Sequence, residues 1–162
     1  MAIISASLFI LLVAVAVRAW RSRVANQQTS FDEPLEALEY FGQLVASAKA
    51  FYVATTFAAN PLERIGAYGL GARGFAQVFV FSEGLLVVRN GERPLAIDKS
   101  AIESVSLSQV AIDKAVESGG LVQIDWLQNG VELSTHLRIV EPQSRQQVTN
   151  AISSIIMKEE AK

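Results

Sequence analysis

The chain has 162 residues, enough for one ordinary domain and an appendage but not for two full domains. Its formal net charge is −2, and setting aside three arginines beside the apolar N-terminal run leaves the remainder clearly acidic. Nucleic-acid wrapping is therefore disfavoured, since neutralised phosphates supply most of that affinity, and the absence of cysteine excludes disulfides, thiolate metal sites and a cysteine nucleophile.

Met1 to Val17 carries no charged side chain, and its only polar side chains are Ser5 and Ser7. As a helix this stretch spans roughly 25 Å, a little short of the ~30 Å hydrocarbon core. Arg18 can snorkel, which lets Ala19 and Trp20 carry the span into the interface, so residues 1–20 read as a transmembrane anchor. Arg18, Trp20, Arg21 and Arg23 form its flank. Because cationic flanks stay inside, the expected arrangement is a single pass through the plasma (inner) membrane, N-terminus out and the C-terminal domain cytoplasmic. Ala14-Val15-Ala16 also fits a signal-peptidase site, but a cleaved signal opens with basic residues, and here they follow the apolar run. A helix buried in a soluble core would need a polar face, which this segment lacks.

Residues 21–47 read as a polar juxtamembrane linker. Ser30 and Glu33 have capping-box spacing, so a short helix over Leu35 to Val45 is expected. Residues 48–160 read as one domain. Phe51–Phe57 and Phe75–Phe81 are rich in aromatic and β-branched residues, as strands are. Leu85–Val88 follows, then Asn90-Gly91 as a two-residue hairpin signal, then Pro94–Ile97 and Ile102–Leu107. Val122, Ile124 and Trp126 alternate with polar residues before a second Asn-Gly turn at Asn129-Gly130. On the return strand, Val131, Leu133, Thr135, Leu137 and Ile139 share one face, and Glu132, Ser134, His136 and Arg138 share the other. Ser144 and Gln147 have capping-box spacing ahead of Val148, Ala151, Ile152, Ile155 and Ile156, a single helical stripe. About seven strands and one helix describe a mostly β sandwich or barrel capped by a C-terminal α-helix.

Chemistry-bearing motifs are few. Gly69-Leu70-Gly71-Ala72-Arg73-Gly74 fits the dinucleotide pattern G-x-G-x-x-G, but that pattern works only between a strand and a helix, and here a strand follows. A glycine-rich bend is the expected reading. His136 is the one histidine and is expected on a solvated strand face. The carboxylates are spread singly, so no acid–base pair, catalytic residue, metal site or cofactor is expected. Arg64, Arg73, Arg89, Arg93 and Lys99 are the local excess of positive charge and the candidate lipid- or partner-binding residues. The competing reading pairs them with Glu63, Glu83, Glu92 and Asp98 as dispersed surface charge. Ala2 and Ala6 have small-xxx-small spacing, which places a homo-oligomer among the assemblies to expect.

These features together resemble a family of small actinobacterial membrane proteins with a bacterial pleckstrin-homology-like (PH-like) domain. Its members are usually encoded beside pyrimidine-biosynthesis genes and are functionally uncharacterised. The resemblance rests on the anchor ending near Trp20, Tyr52-Val53-Ala54-Thr55, the run Gly66 to Gly74, Gly84, Arg89-Asn90-Gly91, Trp126 and Thr135-His136-Leu137-Arg138. It implies a PH-like fold of two roughly orthogonal antiparallel sheets with a helical cap, and no established activity. Members are sometimes labelled transporters, yet a single span supplies no midplane site of its own. The function expected is a membrane-integral, non-catalytic binding or scaffolding module that recruits a protein partner or a second copy at the inner leaflet. A lipid-surface sensor using the basic residues and an accessory subunit of an enzyme or transporter are the alternatives.

Overall fold

The computed structural model describes residues 2–108 and 120–160, and the side chains of residues 4–108 and 120–157. Helix α1 runs from Ala2 to Ser30 without a break, about 43 Å at 1.5 Å per residue. Eight strands follow: β1 (Leu44–Phe57), β2 (Asn60–Arg64), β3 (Gly74–Phe81), β4 (Gly84–Arg89), β5 (Leu95–Asp98), β6 (Ile102–Ser108), β7 (Leu121–Gln128) and β8 (Val131–Arg138). Helix α2 (Pro142–Glu160) closes the chain.

The strands are antiparallel in the order β5-β4-β3-β1-β8-β7-β6, with β2 paired to the end of β1. Strand β1 is the hub. Its first part pairs with β3 from Leu44 to Tyr52 and its last part with β8 from Phe51 to Phe57, with a register shift between Tyr52 and Ala54. The outermost strands of the series, β5 and β6, are consecutive in the chain and joined by one 3-10 turn, Lys99–Ala101. So short a link requires the sheet to curl until its two ends approach each other. Along β1 the inward residues are Ala46, Ala48, Ala50 and Tyr52, and the three alanines leave room for α2 to lie close. Val148, Ala151, Ile152 and Ile155 of α2 are buried there, worth about 2 kcal/mol for each of the larger side chains. Trp126, Leu85, Ile97, Ile124 and Leu137 fill the rest of the core.

The second hairpin turns as its sequence dictates. Asn129 and Gly130 both take positive φ, 48° and 83°, the requirement of a type I′ turn. Four expectations are corrected. Asn90-Gly91 lies inside a longer connection to β5, with Glu92 N–H donating back to the Arg89 carbonyl, rather than forming a two-residue hairpin. Residues 35–45 are not helical, because both capping residues are engaged elsewhere. The Ser30 hydroxyl donates to the Asn26 carbonyl within α1, and Glu33 pairs with Arg93. The segment instead lies along the sheet: Ala96 N–H donates to the Leu35 carbonyl at 2.8 Å, and Leu38 is buried against the Gly84 turn. Helix α2 is capped by Glu141, whose carboxylate accepts from the Ser144 and Gln143 N–H groups at 2.6 and 3.1 Å, so Ser144 is not its cap. Those bonds hold the Glu141 carboxyl below its usual pKa. The fourth correction concerns His136 and belongs to the site.

Candidate functional site

The connection from β2 to β3 (residues 65–73) is where the anchor, the sheet and the glycine-rich motif meet. Tyr68 and Gly69 both take positive φ, 54° and 70°, which bends the loop sharply. At Gly71 a Cβ would stand 2.7 Å from the Ile65 carbonyl oxygen, so only glycine fits that closure. The loop's N–H groups are spent within the fold: Leu70 donates to Ala67 and Ala72 to Gly69 inside the loop, Ile65 donates to Thr55, and Gly66 and Ala67 donate to Gln27 of α1. Its carbonyls face donors from the sheet. Arg89 Nη1 donates to Gly69 O at 2.7 Å, the Tyr52 hydroxyl to Leu70 O at 2.8 Å and Arg64 Nη1 to Gly71 O at 3.4 Å. A phosphate cradle needs the opposite polarity, converging N–H groups at a helix start, and here Gly74 opens a strand. The motif is a bend between strands.

Beneath the loop runs a buried hydrogen-bond chain. Trp126 Nε1 donates to Thr135 Oγ1 (3.0 Å), which meets Thr55 Oγ1 (2.8 Å), which meets the Tyr52 hydroxyl (2.6 Å). Burial raises the Tyr52 pKa to about 12, so the phenol stays a donor for Leu70. Arg89 lies over the Tyr52 ring, 4.6 Å from its centroid, and is itself buried; a desolvated contact of this kind is worth about 2 kcal/mol.

The same loop grips α1. Gln27, buried among otherwise exposed neighbours, accepts from Gly66 N–H (2.7 Å) and Ala67 N–H (3.3 Å) and donates to Arg64 O (3.3 Å). The Tyr68 hydroxyl donates to the carbonyls of Gln28 and Phe31, and the Tyr68 and Phe31 rings meet edge-on at 5.6 Å. A Cβ on Gly66 would stand 3.2 Å from Val24 and 3.9 Å from the Trp20 indole nitrogen, so loop and helix are in close contact. These residues are the ones missed in the sequence. The signal was the stripe Trp20, Val24, Gln27, Phe31, spaced i, i+4, i+7, i+11, which runs from the end of the expected anchor into a segment read as a polar linker.

Of the five basic candidates, three meet at the glycine-rich loop, where Arg64 and Arg89 donate to its carbonyls and Arg73 lies on it, while Arg93 and Lys99 lie at opposite ends of β5. Arg89 is in the core, Arg93 pairs with Glu33 and Glu36 (3.0 Å to the latter), and Lys99 pairs with Glu83 at 2.7 Å beyond the other end of β5. Arg64, half-buried, and Arg73, exposed, lie on the two arms of the glycine-rich loop. On the anchor flank, Trp20, Arg18, Arg21 and Arg23 are all exposed along α1.

His136, expected on a solvated face, is 4% exposed. It lies in the middle of the sheet, opposite Ala54 and Gln123, with Nε2 3.4 Å from Thr56 Oγ1, and among the described residues Nδ1 has no hydrogen-bond partner. Burial pushes its pKa down, opposed by Asp125. Asp125 accepts from Ser134 (2.6 Å), Ser104 (2.7 Å) and Gln123 (2.8 Å), so its carboxylate ties β6, β7 and β8 together. Among the described residues no group of three His, Asp or Glu is placed to hold a metal ion.

Comparison with known proteins settles the family. The bacterial PH domain-like family matches residues 32–153. The chain belongs to that family. No curated protein matches it. Among solved structures, it is similar at 8% identity to a chain of the 8S snRNP assembly intermediate, covering 77% of this chain and 89% of that one, with a TM-score of 0.48. It is also similar to a Vav1 chain, from a structure on the critical structural role of the PH and C1 domains of that exchange factor, at 10% identity and a TM-score of 0.44, covering 83% of this chain and 31% of that one. The activated truncation of Vav1 gives 12% and 0.46, and the chain spans about a third of both Vav1 chains. PH-like domains are generally non-catalytic, and ahead of this one stands the single helix, among the described residues, long and apolar enough to cross a membrane.

Proposed function

We propose that this chain is a membrane-anchored, non-catalytic PH-like module that recruits a protein partner, or a second copy of itself, at the inner leaflet. In this reading residues 1–20 are the anchor in a single pass, N-terminus out, residues 21–47 join it to the domain through the rest of α1 and the first residues of β1, and residues 48–160 are the cytoplasmic binding domain. The arginines on the domain side of the apolar run support the orientation. Membership of the actinobacterial group encoded beside pyrimidine-biosynthesis genes is part of the same proposal, and an accessory role to an enzyme or transporter would be this recruitment with that partner.

The observation that carries the reading is a group of aromatic and aliphatic side chains on the outer face of β1, β3 and β4, interleaved with the exposed Ser47, Lys49 and Gln77. Phe51, Phe75, Phe79, Leu86 and Val88 all alternate outward there, Phe75 is 72% exposed, and its ring meets Phe51 edge-on at 5.6 Å. Aromatic residues grouped on an exposed face are what protein interfaces use. The test is purification of the full-length protein from native membranes alongside a Phe75→Asp variant, with mass spectrometry of what co-purifies. A stoichiometric protein that survives high salt and is lost from the variant is the expected result. Anionic lipid alone, lost instead on Arg73→Ala, would replace this reading with the lipid-surface sensor.

A further inference from the structure

If α1 spans the membrane, its contact with the domain fixes which part of the domain meets the lipid. Trp20 and its neighbouring arginines mark the level of the interface on the helix. Strand β2 and the loop after it lie beside that level. A shallow groove is bounded by Ala19, Ser22, Arg23 and Gln27 on one side and by Phe57 and Glu63 on the other, and Gly66 lies next to Trp20 and Val24.

At this place the β1–β2 ladder is interrupted. Thr56 opposes Arg64 and Phe57 opposes Asn60, so residues 61–63 have no partners on β1 and bulge outward. The apolar residue of the bulge, Leu62, is 69% exposed, with Pro61 also exposed before it. In water that is an unfavourable place for leucine; in the headgroup layer it is a favourable one. Glu63 in the same bulge accepts from Asn60 Nδ2 at 3.2 Å, and Arg64 follows it, half-buried.

We infer that the β2 bulge, with Leu62 at its tip, is a second membrane contact, seated in the headgroup layer of the leaflet beside Trp20. The domain then lies against the bilayer on two points, a spanning helix and an interfacial wedge, instead of hanging from a tether. The ligand is the lipid surface itself, recognised by depth and polarity and not by a particular headgroup. Insertion of an apolar tip at this level reaches about 5–10 Å into the headgroup and acyl boundary. This inference rests on reading α1 as a span.

The chain has no cysteine, so single nitroxide labels can be placed cleanly on the full-length protein. Three variants, Val13→Cys, Leu62→Cys and Asp32→Cys, are reconstituted into nanodiscs of mixed zwitterionic and anionic lipid. Each label is then probed for collision with dissolved oxygen, which concentrates in lipid, and with a water-soluble nickel chelate. Val13 reports the span, and Asp32, exposed just past the far end of α1, reports the aqueous side. The expected result is a Leu62 label that loses access to the nickel chelate and gains access to oxygen relative to Asp32, while Val13 reads as deep lipid. A Leu62 label indistinguishable from Asp32, with Val13 still in lipid, overturns the wedge and leaves the anchor standing. A Val13 label open to the nickel chelate overturns the anchor, and the wedge with it.

Discussion

The two helices are held to the sheet by opposite means. Helix α2 buries a stripe of apolar side chains, Val148, Ala151, Ile152 and Ile155, while α1 meets the domain around one polar group, the amide of Gln27, flanked by Trp20, half-buried Val24 and, just past its end, Phe31. Apolar burial is strong but non-directional, so it fixes a helix in place more firmly than it fixes its rotation. A side-chain amide that both accepts and donates works only in one orientation. The difference matters because the first half of α1 is apolar all round. If that half is the proposed span, a wholly hydrophobic docking stripe would read the same as the span, whereas the Gln27 amide marks the docked part of the helix.

The largest test of this contrast is Ile152→Ala. Its side chain is fully buried, so the truncation should cost about 3 kcal/mol, read as a lower urea midpoint of the full-length protein in detergent. A change below about 1 kcal/mol would mean that α2 covers the sheet without holding it.

Gln27→Ala should act locally. It orphans the Gly66 and Ala67 N–H groups at roughly 1–3 kcal/mol each, so hydrogen exchange at those amides should quicken while amides of α2 keep their protection. Gln27→Glu keeps the acceptor and should restore protection at Gly66. Equal loosening of α2 in Gln27→Ala would mean that anchor and domain unfold as one unit.

His136 gives a smaller, pH-dependent effect. Burial lowers the folded-state pKa below the ordinary 6.5, so the unfolded chain takes up the proton first. Stability is therefore full above the unfolded value and falls as pH drops through the window between the two values. From about pH 7 to about pH 5.5 the wild type should lose stability more steeply than His136→Asn, and matching slopes would show that the ring is already protonated or solvated. Smallest of all is Arg93→Ala. Its pairs with Glu33 and Glu36 are solvent-exposed, so thermal unfolding should move by no more than about 0.5 kcal/mol.

What the sequence made legible was what depends on local pattern. The alternation from Val131 to Ile139, the Asn129-Gly130 turn and the α2 stripe each carry their own geometry, and each appears where its spacing put it. What failed depends on who else is present. Alternation assigns His136 to a face of β8 but is silent on whether that face is covered. Ser30 and Glu33 have the spacing of a cap, yet spacing cannot reveal that Asn26 and Arg93 compete for them. Arg89 read as one more surface cation because nothing local says that Tyr52 and two carbonyls await it. In each case a partner outside the pattern decides, four residues away for Ser30 and distant in the chain for Glu33 and for the Arg89–Tyr52 contact, and the pattern alone does not contain it.

The central position of β1 also governs the order in which the protein is made. Its first half can pair with β3 almost as soon as both emerge from the ribosome, but its second half waits for β8: Thr55 and Thr135 are 80 residues apart. At translation rates of 5–20 residues per second, that strand edge stands open for about 4–16 s. If α1 is the anchor proposed above, the half-built sheet spends that interval at the bilayer surface, where confinement to two dimensions raises the encounter rate of its unpaired edge with neighbouring chains.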